Sequence, residues 1–318
     1  MRQRLCFAIL IIFVLAPAAW ALDLPLHPGE AQVISGIAAT ERIDVVAAEM
    51  PAWLKNSLIR ALAACGVTTA PPGDGTIASK DRPAIHLGYL YDADGHVLAL
   101  GGNGPWLRNS SLRSLAQLPE LRIIHIDHNG FVGRDPRIAE FDGSGFDALA
   151  DSKLADIRIG LSFSDRGMQQ CARIKSLRSF SVAHSRVTDA GIAFFAGHPA
   201  IDVFSIAEMG SNRVTGRALA EIAKIPRLTR VGFKECYVTY DNGLGLLTPL
   251  RGQLVEIDLS MSIASRVDLD RLQADHPRAR IVTIPPAEIV RRHRFIAANL
   301  ARQAPAELAA ALKEALGQ

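Results

Sequence analysis

The chain has 318 residues, 49% of them hydrophobic and 21% charged, with a net charge of +3. That is enough apolar material for a sizeable buried core, while the near-neutral balance without blocks of like charge argues against a nucleic-acid surface or a membrane-attracted tail. Of the four cysteines, Cys6 falls in the leading apolar run, and the odd set Cys65, Cys171 and Cys236 lacks the spacing of a zinc site or a disulfide framework; at most one pair could form.

In chain order, Arg2 and Arg4 precede an apolar run from Leu5 to Leu15 and then Ala19-Trp20-Ala21. This is the layout of a secretory signal peptide over residues 1–21, too short to span a bilayer comfortably, with Cys6 inside the run and not at a lipid-attachment position. Cleavage before Leu22 is expected, giving an extracytoplasmic product, periplasmic or secreted, with no stable membrane span. The rich use of Ala and Arg fits a bacterial genome of high GC content. Residues 22–94 lack the periodicity of residues 95–286. Pro51 opens a helix with Trp53, Leu54, Leu58, Ile59 and Leu62 as its stripe, ending near Cys65-Gly66. Ala70 to Gly75 reads as a loop, and Ile85, Leu87 and Leu90 lead through Asp92-Ala93-Asp94-Gly95 to Val97–Leu100, a hairpin. Helix and hairpin are expected to cap the N-terminal end of the periodic segment.

From residue 95 to 286 a pattern recurs. Leu177, Phe180, Val182 and Val187 occupy the first, fourth, sixth and eleventh places of L-x-x-L-x-L-x-x-N/C-x-L, and Leu228, Val231, Phe233 and Val238 repeat them. The first three places return at Leu121, Ile124, Ile126; Leu154, Ile157, Ile159; Ile201, Phe204, Ile206; and Leu254, Ile257, Leu259. Ninth places are Asn129, Ser162, Ser185, Cys236 and Ser262, with Asn212 after three extra residues around Glu208 to Gly210, and Asn103 if Leu98 and Leu100 belong to a repeat starting at Gly95. A short polar residue at an inward bend can pair buried backbone groups. Successive first places Leu154, Leu177, Ile201, Leu228, Leu254 and Ala279 are 23, 24, 27, 26 and 25 residues apart; Leu121 to Leu154 is 33, so Arg134–Gly145 is an insertion. Asp165 and Asp189 stand as candidate helix N-caps.

These registers resemble the leucine-rich repeat superfamily, and Val187-Thr188-Asp189-x-Gly191 with Cys236 in the ninth place is similar to its cysteine-containing subtype. The resemblance implies an α/β leucine-rich repeat solenoid, or horseshoe, with parallel strands on the concave face and helices on the convex face, capped at both ends. After Pro285-Pro286 come Ala-rich helices over residues 287–304 and 306–316, with Ile289, Phe295, Ile296 and Leu300 on one side of the first. They are expected as a C-terminal cap over 287–318; the alternative is a partner-binding helix carrying Arg291, Arg292, His293 and Arg294.

In such a solenoid the third, fifth and seventh places face outward on the concave sheet. They are Ile123, His125, Asp127; Asp156, Arg158, Gly160; Ser179, Ser181, Ala183; Val203, Ser205, Ala207; Arg230, Gly232, Lys234; and Glu256, Asp258, Ser260. This face is mixed in charge with a shallow centre, suited to a protein or peptide more than to a small ligand. The binding candidates are His125, Asp127, Asp156, Arg158, Ser179, Ser181, Ser205, Arg230, Lys234, Glu256 and Asp258.

Chemistry is suggested only by Ile124-His125-Ile126-Asp127-His128, whose histidine and aspartate could hold a metal or act as acid and base; no third ligand is spaced for it, and exposed polar side chains explain it as well. G-x-S-x-G, H-E-x-x-H and P-loop motifs are missing, and Gly101-Gly102-Asn103-Gly104 falls at an inward bend, not at a phosphate loop. The expectation is a non-catalytic protein- or peptide-binding protein without cofactor or metal. The alternatives are a metal-assisted hydrolase using His125 and Asp127, and a purely structural envelope protein.

Overall fold

Side chains alternate along a strand, so each Ile-x-Ile or Phe-x-Val triplet of the repeat commits one face to the core and leaves its neighbours on the other. A computed structural model describes residues 24–40, 44–67, 71, 73–81, 86–103, 106–126, 141–160, 162–207 and 213–317. The predicted signal peptide, Asp127, His128, Asn129, the extra residues at Glu208–Gly210, Asn212 and the first half of the Arg134–Gly145 insertion lie outside them.

Before the repeats come α1 (Pro28–Thr40), β1 (Val45–Ala48), α2 (Ala52–Ala64), β2 (Gly73–Ser79) and β3 (His86–Tyr91), and β4 (Val97–Asn103) is the strand of the first coil. The repeats supply α3 (Asn109–Ser114), β5 (Ile123–Ile126), β6 (Asp156–Gly160), α4 (Asp165–Cys171), β7 (Ser179–Ala183), α5 (Asp189–Ala193), β8 (Val203–Ala207), α6 (Ala218–Ile222), β9 (Arg230–Lys234), β10 (Glu256–Asp258), α7 (Arg266–Asp275) and β11 (Arg280–Val282). Among the described residues the strands form one open sheet in sequence order, antiparallel from β1 to β4 and parallel from β4 to β11.

The register matches like places across coils: Ile124, Ile157, Phe180, Phe204, Val231 and Ile257 lie side by side. First, fourth and sixth places from Leu121 to Leu259 are at most 3% exposed. A run of rings, Phe163, Phe180, Phe195 and Phe204, crosses the middle coils with centroids 4.8–6.1 Å apart. Each such side chain contributes roughly 1.5–3 kcal/mol by burial, and the core is continuous because every coil covers its neighbour.

Two registers differ from those expected. Leu100, not Leu98, pairs with Ile124, so the first coil starts at Val97 and has Gly102 in its sixth place; Asn103 falls in the seventh. The cause is β3: a side chain at residue 102 would stand 2.2 Å from the His86 carbonyl, so a glycine replaces the usual leucine and hides the pattern. At the far end Ile281 pairs with Ile257, which starts the last coil at residue 278 and not at Ala279.

The coils return through short helices. Their N-caps are Ser164 and Thr188, one residue before the expected Asp165 and Asp189. Those aspartates instead clasp the next coil: Asp165 accepts from the Thr188 N–H and hydroxyl, both at 2.7 Å, and Asp189 accepts likewise from Thr215, again at 2.7 Å. Gly191 makes room for the clasp, since a Cβ there would lie 2.2 Å from Asp165 Oδ1. At the ninth place the Ser262 hydroxyl donates to the Phe233 carbonyl at 2.9 Å and accepts the Cys236 N–H at 3.2 Å, pairing the buried backbone of the preceding coil. The Ser185 hydroxyl accepts from Val187 N–H at 3.2 Å, whereas the Ser162 hydroxyl is buried without a partner among the described residues.

The N-terminal segment extends the sheet. Residues 73–75, read as loop, belong to β2, because Tyr91 and Tyr89 lie where the Cβ atoms of residues 73 and 75 would be and only glycine fits beneath the rings. The hairpin turn is as expected, with Asp92 accepting from the Asp94 and His96 N–H groups. Helix α1, not anticipated, packs Val33, Ile34 and Ile37 on the main core. Its Glu30, 2% exposed, accepts from the Val97 N–H at 2.7 Å and meets His96 Nδ1 at 2.6 Å. The hydrogen bond that the His96 ring donates to the Glu30 carboxylate raises the His96 pKa above the usual 6.5. Stability from this pair is therefore complete below pH 6.5 and is lost as pH rises through the raised value. Urea unfolding at pH 6, 7, 8 and 9 is expected to show the stability advantage of the wild type over His96→Gln shrinking as pH rises, whatever the buried His198 and His276, whose pKa values are lowered, add to both proteins; parallel profiles for the two proteins would refute the linkage.

Beyond β11 lie α8 (Pro286–Arg292), α9 (Arg294–Gln303) and α10 (Ala306–Leu316). The predicted helix over 287–304 breaks at His293, whose Nδ1 caps Ile296 N–H at 3.4 Å. The break turns Phe295 outward, 58% exposed, while Ile289, Ile296 and Leu300 join Leu312, Leu316 and Ile263 in a separate core.

Candidate functional site

The sheet face turned away from the main core is not uniformly open. Helix α2 lies on it, packing Leu54, Leu58 and Leu62 against Leu90, Ala99 and Ile123. Two glycines allow the approach: a Cβ at residue 101 would meet Leu54 and Leu58 at 2.9 and 3.0 Å, and one at residue 88 would meet Leu54 and Met50 at 3.0 Å. Lys55 pairs with Asp74 of β2 and ties the helix down. Trp53, expected on the buried stripe, is 61% exposed, its ring edge-on to His86.

His125 is therefore not a surface residue. It is 7% exposed, and its Nε2 lies 3.1 Å from Asp156 Oδ2 without hydrogen-bond alignment. At the end of α2 the Cys65 thiol is pushed up to about 11, first by burial and then by Asp156, so it is no ready nucleophile. Cys171 and Cys236 are buried, and none of the three cysteines is in a disulfide among the described residues. Nor, among those residues, is any group of three or more His, Cys, Asp or Glu placed to hold a metal.

Past α2 the face opens into a trough of about 360 Å³ over β6 to β10. It brings together Asp156, Arg158, Ser179, Ser181, Ser205, Arg230, Lys234, Glu256 and Asp258, nine of the eleven residues singled out from sequence; His125 is under α2 and Asp127 is outside the described residues. Its floor is short-chained, with Ser181, Ser205 and Gly232 side by side in the fifth-place row. Burial would raise the Asp258 carboxyl, but the Lys234 ammonium at 2.6 Å and the Ser260 N–H at 2.9 Å hold it below the usual range.

No protein-family model and no curated protein matches the chain. Among solved structures it is similar to an internalin (inlF) from Listeria monocytogenes, 13% identical, with a TM-score of 0.33 over 60% of this chain and 54% of that one. The chain thus spans about half the length of that internalin. Its own strand register shows a repeating unit, with β4 to β11 parallel and like places of successive coils side by side.

Among the described residues no helix is long and apolar enough to cross a membrane. What sequence reasoning missed is α2 on the open face. Its traces were Ile123, an apolar residue at an outward place, and the glycines at residues 88 and 101.

Proposed function

We propose that the chain is an exported, non-catalytic leucine-rich repeat protein that binds a protein or peptide in the trough over β6 to β10, the concave side of a horseshoe closed by residues 24–94 and 287–317. The observation that carries this reading is the trough itself: wide, shallow, floored by serines and glycine and rimmed by charge, as suits an extended partner and not a buried small molecule. A metal-assisted hydrolase would need His125 within reach of substrate, and Leu54, Leu58 and Ile123 support the opposite. The proposal includes a cell-envelope or secreted location, on the strength of the leader's layout.

Ser205→Trp tests the reading, because an indole on the floor would fill the trough without touching the core. Partner capture from an extract of the source cells, with the wild-type chain as bait, is expected to be lost in Ser205→Trp at unchanged melting temperature. Equal capture by both baits would overturn the binding surface.

A further inference from the structure

The trough's charges are unequally compensated. Asp156 is buried, 8% exposed, while Lys234 pairs with Asp258 and Glu256 pairs with Arg280. Arg158 and Arg230 are exposed, and neither has a carboxylate within 4.0 Å among the described residues. The exposed unanswered charge of this surface is therefore positive, and it sits at two places, on β6 and β9, with Ser181 on β7 and Ser205 on β8 between them.

We propose that the trough takes an extended acidic segment of a partner protein, seating two carboxylates four residues apart on Arg158 and Arg230. This deepens the binding reading and rests on it. Arg158 lies on β6 and Arg230 on β9, three strand steps apart, which is about 14 Å at roughly 4.8 Å per step. Residues i and i+4 of an extended chain share a face and lie about 13 Å apart, and the long arginine side chains absorb the offset along the strands. Between the two anchors Ser181 and Ser205 carry nothing longer than a hydroxyl, and Gly232, beside Arg230 on β9, carries no side chain, so a backbone can lie close and pair with the serines. Guanidinium groups suit carboxylates through paired N–H bonds. A basic segment would meet both free cations, and the one lining carboxylate without a cation, Asp156, is only 8% exposed.

The test uses a fluorescein-labelled peptide, Gly-Gly-Asp-Ser-Gly-Ser-Asp-Gly-Gly, its counterpart with both aspartates changed to asparagine, and one with both changed to lysine. Anisotropy at low salt is expected to show the aspartate peptide binding the full chain at least about tenfold more tightly than the asparagine one, a preference weakened by added salt. Arg158→Glu/Arg230→Glu, with its melting temperature unchanged, is expected to lose that preference and to gain the lysine peptide. Equal binding of the aspartate and asparagine peptides, no binding of either, or a preference that survives in the double variant would overturn the proposal. If partner capture depends on Ser205 while the acidic peptide fails, only the acidic partner falls; if capture ignores Ser205→Trp, the binding surface falls first.

Discussion

Replacing Phe180 with alanine is expected to cost about 3–5 kcal/mol, the range for removing a fully enclosed phenylalanine. Phe180 is 0% exposed and its ring touches three others, Phe163, Phe195 and Phe204, at 6.1, 4.8 and 5.6 Å. These belong to three successive coils, so the cavity would open at a junction where each coil depends on its neighbours for a partner. Urea unfolding reads the loss, and hydrogen exchange of the β6, β7 and β8 amides reads its spread; both neighbours should exchange faster. A cost under about 1 kcal/mol, typical of an exposed position, would mean that the ring does not stand in a shared interior.

Gly191→Ala is expected to destabilise by about 1–3 kcal/mol, the cost of overpacking a close contact. The added methyl would fall 2.2 Å from Asp165 Oδ1, the atom that accepts the Thr188 N–H at 2.7 Å. The carboxylate must then swing away, leaving the N–H and hydroxyl of Thr188 without their acceptor. Because Gly191→Ala and Asp165→Ala act on one clasp, their effects should not add. In an Asp165→Ala background, Gly191→Ala should cost little, and thermal unfolding of the four proteins in the cycle measures this. Full additivity would show that the glycine is there for another reason.

The Thr188-Asp189-x-Gly191 segment shows how far a sequence can be read. Its pattern marked a repeat, and Thr188, Asp189 and Gly191 were each visible, but their jobs were not, because the atoms they answer belong to another coil. Phe180 and Phe233 could be assigned to the interior from local alternation alone, and both are at most 3% exposed. The trough was legible for the same reason: once the period is known, third and fifth places turn outward together, and nine candidates converge there. Reading failed where one segment displaces another's pattern. Gly102 replaced a leucine because β3 presses on it, Gly73 and Gly75 looked like a loop because the tyrosines that cover them come later in the chain, and His125 looked exposed because α2, from much earlier in the chain, covers it. Helix α1 has a weak apolar stripe and needed Glu30, reaching to His96, to be located.

A cysteine footprint places the partner on one face or the other. In a Cys65→Ser background, where Cys171 and Cys236 stay buried, Ser205→Cys reports on the trough and Gln169→Cys on the exposed side of α4. Maleimide labelling of each is timed with and without the captured partner. Slower labelling of the cysteine at 205, with no change at 169, is the outcome predicted by a partner lying across β6 to β9; protection at 169 with 205 labelled as fast as before would contradict it.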